Sequence, residues 1–586
     1  MALKWRKVAL RIAQAAGPQK WTHLPFAQSP ALDFQCSISA EKVKSIFSLP
    51  APRKPDSSAP AGHRARLPLQ ISAGALLLLA ALLFGMGACA RRGDPPPDPL
   101  APHRAAMKDA YRGDVDLAAA APRYQISITL PPPANVLTGT ARIDLTNNSS
   151  DPWSHLVFRL YPMLDQYRGR MTLLSALIND SPTNFVYQTQ STAVRVNMPR
   201  ALLPGQTATV ELSWKLTIPK WSDDSATYAL FGASQEMISL PLFYPALAVY
   251  EPGPAIGTGN WWLETGSVRG DAAFNQASLF VVTATLPSDQ APVATGTRII
   301  THDVGEGLTQ HIWATGPVRE FLLHMSPRFE SASTEAYGTR VTSYWLPGDE
   351  SAGRAALAYA VAALRFYSDY FGSYPARDMA VAPAALSYRG MEYPQVSLLG
   401  VQLYSRYRAD LETLVAHEAA HHWWFQIVHN DPVREPWLDE ALAEYAMRLY
   451  FEAVYGEERA AAVEQQRWRV PLSLLAERNA DVNVNRPVDA FESGSQYETI
   501  IYAKGALFYA QLRESLGDRE FRDFLRSYLG RYRYQIVSTE DWLEELRSLD
   551  RPELLTLYRE WVQPPTARPV IGPTPAEAPE TQAIAP

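Results

Sequence analysis

The apolar residues change their spacing near residue 326, and a chain with two periods must build two kinds of core. Upstream, apolar and polar residues alternate. Tyr124, Ile126, Ile128 and Leu130 form one such run, and Val210, Leu212, Trp214, Leu216 and Ile218 another. Phe280, Val282, Ala284 and Leu286 form a third, ending at Pro287. A period of two turns one face of a strand toward a core. Asn147-Asn148-Ser149-Ser150 and Leu203-Pro204-Gly205-Gln206 supply turns between the runs. Residues 112–325 are therefore expected to form an N-terminal antiparallel β domain. Downstream the spacing becomes that of helices, expected over 351–371, 409–428, 437–455, 497–515 and 538–549, with a short β-like segment after the first. Ser538 and Asp541 make a capping box for the last helix. Residues 326–565 form the second, mainly α-helical domain, so the fold class is α+β and multidomain.

The length of 586 residues exceeds one ordinary core, and an apolar fraction of 47% fills two. A net charge of −6 gives no reason to expect a nucleic-acid partner. Cys36 and Cys89 are the two cysteines. They support neither a disulfide framework nor a cysteine-based metal site, so any metal must be held by His, Asp and Glu.

The N-terminal region reads as an address. Residues 69–88 carry no charge, follow Arg64 and Arg66, and end in Gly87 and Ala88 before Cys89. A basic flank, an apolar stretch and small residues before a cut point make a secretory signal. Met86-Gly87-Ala88-Cys89 resembles a bacterial lipobox with Met in place of the usual Leu, which implies a lipidated Cys89. The same run is just long enough for an uncleaved membrane-spanning helix, or it packs as a core helix. Residues 1–68 carry 11 Lys/Arg against 3 Asp/Glu. They are either an artefact of the assigned start or a cytoplasmic leader that sends the rest across the membrane. Residues 69–89 are thus the signal or anchor, and 90–111, with Pro95-Pro96-Pro97, a stiff linker. Both alternatives put the remainder outside the cytoplasm on a membrane anchor. The Pro- and Ala-rich residues 566–586 form an expected disordered tail.

Chemistry concentrates in Val415-Ala416-His417-Glu418-Ala419-Ala420-His421-His422-Trp423-Trp424. On a helix, positions four apart share a face, so His417 and His421 can grip one metal ion. Glu418 is placed to deprotonate an attacking water. The segment Trp437-Leu438-Asp439-Glu440 opens a returning helix, and its Glu440 can complete the set. Two imidazoles and a carboxylate with one position open suit zinc, one ion per chain. His422 lies on another face and reads as a cleft or core residue. His429 reads as structural, and Trp423 and Trp424 as packing beneath the helix. For Glu444, one turn past Glu440, orientation of a ligand imidazole and plain surface solvation both stay open.

With these residues in place, the sequence resembles the aminopeptidase N family of gluzincins. His417-Glu418-x-x-His421 and Glu440 are separated by 18 residues, as in that family. Arg389-Gly390-Met391-Glu392-Tyr393-Pro394 is similar to its substrate motif, particularly the bacterial Gly-Met-Glu-Tyr-Pro form. Ile501-Tyr502-Ala503-Lys504-Gly505 is similar to the segment with the catalytic tyrosine. The resemblance covers roughly residues 120–565 and implies a β domain followed by a thermolysin-like catalytic domain. It implies zinc held by His417, His421 and Glu440, with Glu418 as general base. Tyr502 would stabilise the oxyanion, and Glu392 would bind the substrate's α-ammonium beside Gly390 and Met391. The expected activity is removal of N-terminal residues from peptides.

Several departures bear on that expectation. Tyr393 replaces the family's Asn, and Arg389 replaces a Gly. The family's Asp-Glu-Pro segment is not found around Gly270-Asp271-Ala272-Ala273-Phe274, so no second amine-binding residue is assigned there. The chain leaves no room for the large helical C-terminal domain of many relatives, which implies a more open cleft. A zinc endopeptidase and a non-catalytic peptide-binding module are the competing readings. The first is favoured if Glu392 meets no amine. The second is disfavoured by the intact set of His417, Glu418, His421, Glu440 and Tyr502. A serine-hydrolase reading lacks its Gly-x-Ser-x-Gly elbow.

Overall fold

The computed structural model describes residues 98–221, 230–234, 236–264, 269–386 and 389–563. The expected leader, the anchor at 69–89 and the tail at 566–586 lie outside the described residues.

Alternating residues form strands as anticipated. In β1 (Arg123–Thr129) every second side chain is buried, and the same holds for most of β2 (Val136–Thr146). These join the largest sheet of the first domain, with eight strands. Most neighbours in it are antiparallel, but β1 and β3 (Leu279–Pro287) run parallel, in register from Arg123 with Leu279 to Thr129 with Thr285. Two four-stranded sheets share the apolar core beneath it, where Trp214, Phe243, Phe280 and Phe321 meet. Gly139 of β2 has no side chain because the Trp214 ring occupies the space a Cβ would take.

The expected linker over 90–111 is corrected in its second half. Ala101–Ala106 form a helix, and Met107 buries with Val115 and Leu279. Arg377 fastens the segment through the Met107 carbonyl at 2.8 Å and Asp109 at 2.7 Å. The reading of a stiff linker from its prolines passed over Met107, a large apolar side chain with a core site available.

The second domain opens with a five-stranded sheet. Its strands are β4 (Glu330–Ala336), β5 (Thr339–Trp345), β6 (Asp378–Ala384), β7 (Gly390–Tyr393) and β8 (Val396–Gly400), in spatial order β4-β5-β6-β8-β7. β7 is an edge strand, antiparallel to β8 with Glu392 opposite Ser397. Helix α1 (Glu350–Tyr370) covers the sheet with an alanine-rich face: Ala352, Ala356, Ala360 and Ala363 are buried. Small side chains allow close approach, and Tyr367 on that face donates to the Ala416 carbonyl at 2.9 Å. That bond ties α1 to α2 (Leu411–Ala420), which is buried over its last six residues. Helix α3 (Trp437–Tyr455) returns beside α2 and ends at Gly456, whose φ of 94° suits a residue without Cβ. Further on, α4 (Val470–Glu477) and α5 (Gly505–Leu516) flank the same region. The capping box of Ser538 and Asp541 is present at the helix Thr539–Arg547.

Helix α2 stops eight residues short of the expected 428. After Ala420 the backbone turns, the Gln426 amide bonds to the His421 carbonyl at 3.0 Å, and Phe425 takes φ 135°. Burial of Trp423 and Trp424 in the core, with Trp423 donating to the Gly372 carbonyl at 2.8 Å, outweighs continued helix. The expected helix 497–515 begins instead with Gly494–Glu498 and a π-helical stretch over Thr499–Lys504, then continues as α5.

Candidate metal centre and cleft

His417 and His421 sit at the C-terminal end of α2 with their Nε2 atoms 3.1 Å apart. The other ring nitrogen of each imidazole faces an oxygen. His421 Nδ1 donates to the Trp424 carbonyl at 3.0 Å, a partner supplied by the turn that ends α2. His417 Nδ1 lies 2.9 Å from Glu444 Oε2. Such contacts orient both rings with Nε2 inward.

Helix α3 brings the third donor. Glu440 Oε2 lies 3.2 Å from His421 Nε2 and 3.4 Å from His417 Nε2, is buried, and accepts no hydrogen bond. For tetrahedral ligands about 2.0–2.1 Å from zinc, the spacing between ligand atoms is about 3.3 Å. The three observed separations match it. A buried carboxylate oxygen without a hydrogen bond, facing two imidazole nitrogens, is what a bound cation requires. His417, His421 and Glu440 therefore fit a zinc ion.

Around this triangle stand the other expected residues. Glu418 is buried, with Oε2 lacking a hydrogen bond. Burial pushes its carboxyl up to about 7 against the opposing pull of His417 and His421. Edge strand β7 runs beside it, and a side chain at Gly390 would run into the Glu418 carboxylate. The glycine is thus the space that carboxylate occupies. Two residues on, Glu392 is buried and its donor atoms approach those of Glu418 and His421. Burial raises it to about 7. Met391 between them lines the cleft. Tyr502, on the π-helical stretch, donates to Glu440 Oε1 at 2.6 Å and stacks on the His417 ring at 5.8 Å. Burial opposes the charge on Glu440, but the facing imidazoles of His417 and His421 outweigh that and hold it well below the usual carboxylate range.

All eight expected site residues, Glu418, Tyr502, Glu392, Gly390, Met391, His417, His421 and Glu440, line one cleft of about 440 Å³. The two readings of Glu444 are resolved by its contact with His417, and it also accepts from Trp468 Nε1 at 2.7 Å and Arg467 Nε at 3.2 Å. His422 is buried with Nε2 3.3 Å from Ser397 Oγ, and His429 is fully buried in a short strand. Neither enters the cleft.

Sequence reasoning missed several cleft residues. Asp271 lines the cleft from the β domain. Burial, reinforced by the charge of Glu392, pushes it up to about 8. Its loop is held by Tyr161, whose hydroxyl donates to the Phe274 carbonyl at 3.1 Å. Arg467 and Trp468, on a π-helical stretch over Gln465–Arg469, line it too. Arg389 forms an ion pair with Glu498, joining β7 to the segment that carries Tyr502.

Comparison with known proteins agrees with this geometry. Residues 355–561 match the model of the peptidase family M1 domain. Aminopeptidase M1-B of Oryza sativa subsp. japonica is 30% identical over 239 residues, 38% of this chain and 27% of the relative. Leukotriene A-4 hydrolase of Xenopus laevis is 26% identical over 217 residues, 35% of this chain and 36% of the relative. These matches span between a quarter and two fifths of the relatives' own length. The fold is similar to the crystal structure of an M1 zinc metallopeptidase from Deinococcus radiodurans. That likeness covers 78% of this chain and 97% of that one, with a TM-score of 0.57 and 21% identity. A mutant of the same metallopeptidase, bound to a Tyr-Ser-Ala substrate, is also 21% identical, with a TM-score of 0.56 over 77% of this chain and 97% of that one.

Proposed function

We propose that this chain is a zinc-dependent aminopeptidase of the aminopeptidase N type, a reading supported by the match of residues 355–561 to the peptidase family M1 domain. The observation that carries the reading is the convergence of His417, His421 and Glu440, with Glu418 beside them and Glu392 lining the same cleft. A bare metal site would explain the triangle but not the buried Glu392 beside it, with Asp271 lining the same cleft.

Zinc, when bound, supplies Lewis acidity that polarises the scissile carbonyl and acidifies water. The chain's own residues do the rest. Glu392 receives the peptide's ammonium in a charge-assisted contact, which sets the register of the first peptide bond. Glu418 takes the proton of the attacking water and passes it to the leaving amine. Tyr502 turns its hydroxyl from Glu440 to the carbonyl oxygen as negative charge grows there. Glu444 and the Trp424 carbonyl hold the imidazoles in orientation throughout.

The test pairs an aminoacyl chromogenic substrate with its N-acetylated form. Cleavage of the free-amine substrate alone is expected. Equal cleavage of the blocked one would contradict the exopeptidase reading.

The location is proposed from the sequence. Residues 69–88 and Cys89 support an extracytoplasmic protein held at the membrane by a lipid or a single helix. Among the described residues no helix is long and apolar enough to cross a membrane. Mass spectrometry of the membrane-extracted N-terminus distinguishes a lipidated Cys89 from an uncleaved run.

A further inference from the structure

The turn that ends α2 is tied to more than the metal centre. Its Trp424 carbonyl receives His421 Nδ1, and two residues on, the Gln426 amide bonds to the His421 carbonyl at 3.0 Å. The Gln426 side chain is buried and reaches strand β7, where its Nε2 donates to the Glu392 carbonyl at 2.6 Å. The geometry of β7 explains why that carbonyl needs a donor. In an antiparallel pair, bonded and unbonded positions alternate. The Gly400 amide bonds to the Arg389 carbonyl at 2.8 Å, so positions 389, 391 and 393 face β8 and the Glu392 carbonyl faces away from it. β7 ends the sheet, and Gln426 takes the place of a neighbouring strand. Only the NH2 of an amide can face a carbonyl oxygen, so the contact fixes which way the Gln426 amide is turned. Its Oε1 is left buried without a hydrogen bond. An unpaired buried acceptor is destabilising, so the side chain is better explained by the one bond it makes to Glu392 than by stability.

We propose that Gln426 is a positioning residue that fixes the backbone of Glu392 relative to His421, and with it the span between the substrate's ammonium and the bond that is cut. This rests on the aminopeptidase reading, in which Glu392 meets the ammonium, and adds the residue that sets that carboxylate in place. Gln426 carries two tethers, its backbone amide to a metal-binding residue and its side chain to the ammonium-binding one. Together they define the span. Without the second tether, Glu392 keeps its place only through the bonds of positions 391 and 393 to β8, and its carboxylate loses its fixed distance from the metal centre.

The zinc-loaded enzyme and its Gln426→Leu variant are assayed on leucine p-nitroanilide. Leucine has nearly the size of glutamine and removes the donor together with the unpaired Oε1, so Tm should change little. Zinc content should stay close to one per chain. KM should rise about 5–10-fold with a smaller change in kcat, the effect of one hydrogen bond acting on binding. Gln426→Glu keeps size and polarity but presents an acceptor to the Glu392 carbonyl, and should raise KM at least as much. A double-mutant cycle separates positioning from general loosening of the cleft. In the Glu392→Gln background, adding Gln426→Leu should raise KM by less than about 2-fold, because the carboxylate it positions is gone. An equal rise in both backgrounds overturns the proposal. So does an unchanged KM in a folded, zinc-loaded Gln426→Leu enzyme. Loss of the fold in both Gln426 variants assigns the residue to the core alone and overturns it as well. Cleavage of leucine p-nitroanilide with any of these results rejects the role of Gln426 and leaves the aminopeptidase reading intact. Failure of the wild-type enzyme to cleave any free-amine substrate rejects that reading and the inference with it.

Discussion

Glu418 illustrates how one side chain's chemistry is built by its neighbours. Buried beside two imidazoles, it meets a strand that had to surrender a Cβ at Gly390 to admit it. Gly390→Ala should therefore displace the carboxylate and lower kcat by roughly 10-fold or more with little change in folding, as read by steady-state kinetics and circular dichroism. Glu418→Gln keeps the size and removes the base. Tyr502→Phe removes one oxyanion donor, and its expected cost in kcat is about 10²–10³. An unchanged kcat would remove Tyr502 from the reaction. At this scale His417, Glu418, His421 and Glu440 were legible from helix spacing, while Gly390, Met391, Glu392 and Tyr502 were legible only through the resemblance of their segments to family motifs. Asp271 and Arg467 were not. Each reaches the cleft through tertiary packing, one on a loop held by Tyr161 and one on a π-helical stretch. Neither leaves a periodic trace.

The elements around the centre differ from regular helices where function demands it. Helix α2 ends at Ala420, which frees the Trp424 carbonyl for His421. The π-helical stretch over Thr499–Lys504 widens the helix that carries Tyr502, and such stretches recur at functional sites. Gly505 lets the start of α5 press against Ala441 on α3, because a side chain there would strike the Ala441 methyl. Gly505→Val should force these helices apart. We expect a loss of about 1–3 kcal/mol for overpacking, seen as a lower Tm, and a larger fall in kcat than in KM as Tyr502 moves from Glu440. Helix existence was readable from apolar period, as α1 and α3 demonstrate within a residue at each end. The ends of α2 and the π-helical stretches were not. A sequence period cannot record a carbonyl that must face an imidazole, nor a widened turn.

Across the whole molecule, a β domain and a helical domain contribute to one site. Trp262 of the first donates to Asp431 Oδ2 of the second at 3.1 Å, just before α3. Arg434 binds Glu264 and Glu251 across the same seam. The division near residue 326 was visible as a change of period, with the last strand of the first domain ending at Ser326. That Asp271 from the first domain would enter the cleft of the second was not, since contacts distant in sequence carry no local pattern. The account as a whole stands on His417, His421 and Glu440 sharing one ion. Its most direct test is the zinc content of dialysed protein by elemental analysis. The wild type and Glu418→Gln should each hold close to one zinc per chain, while His417→Ala and Glu440→Ala should hold almost none. Full zinc occupancy in those two alanine variants, with the fold intact, would contradict it.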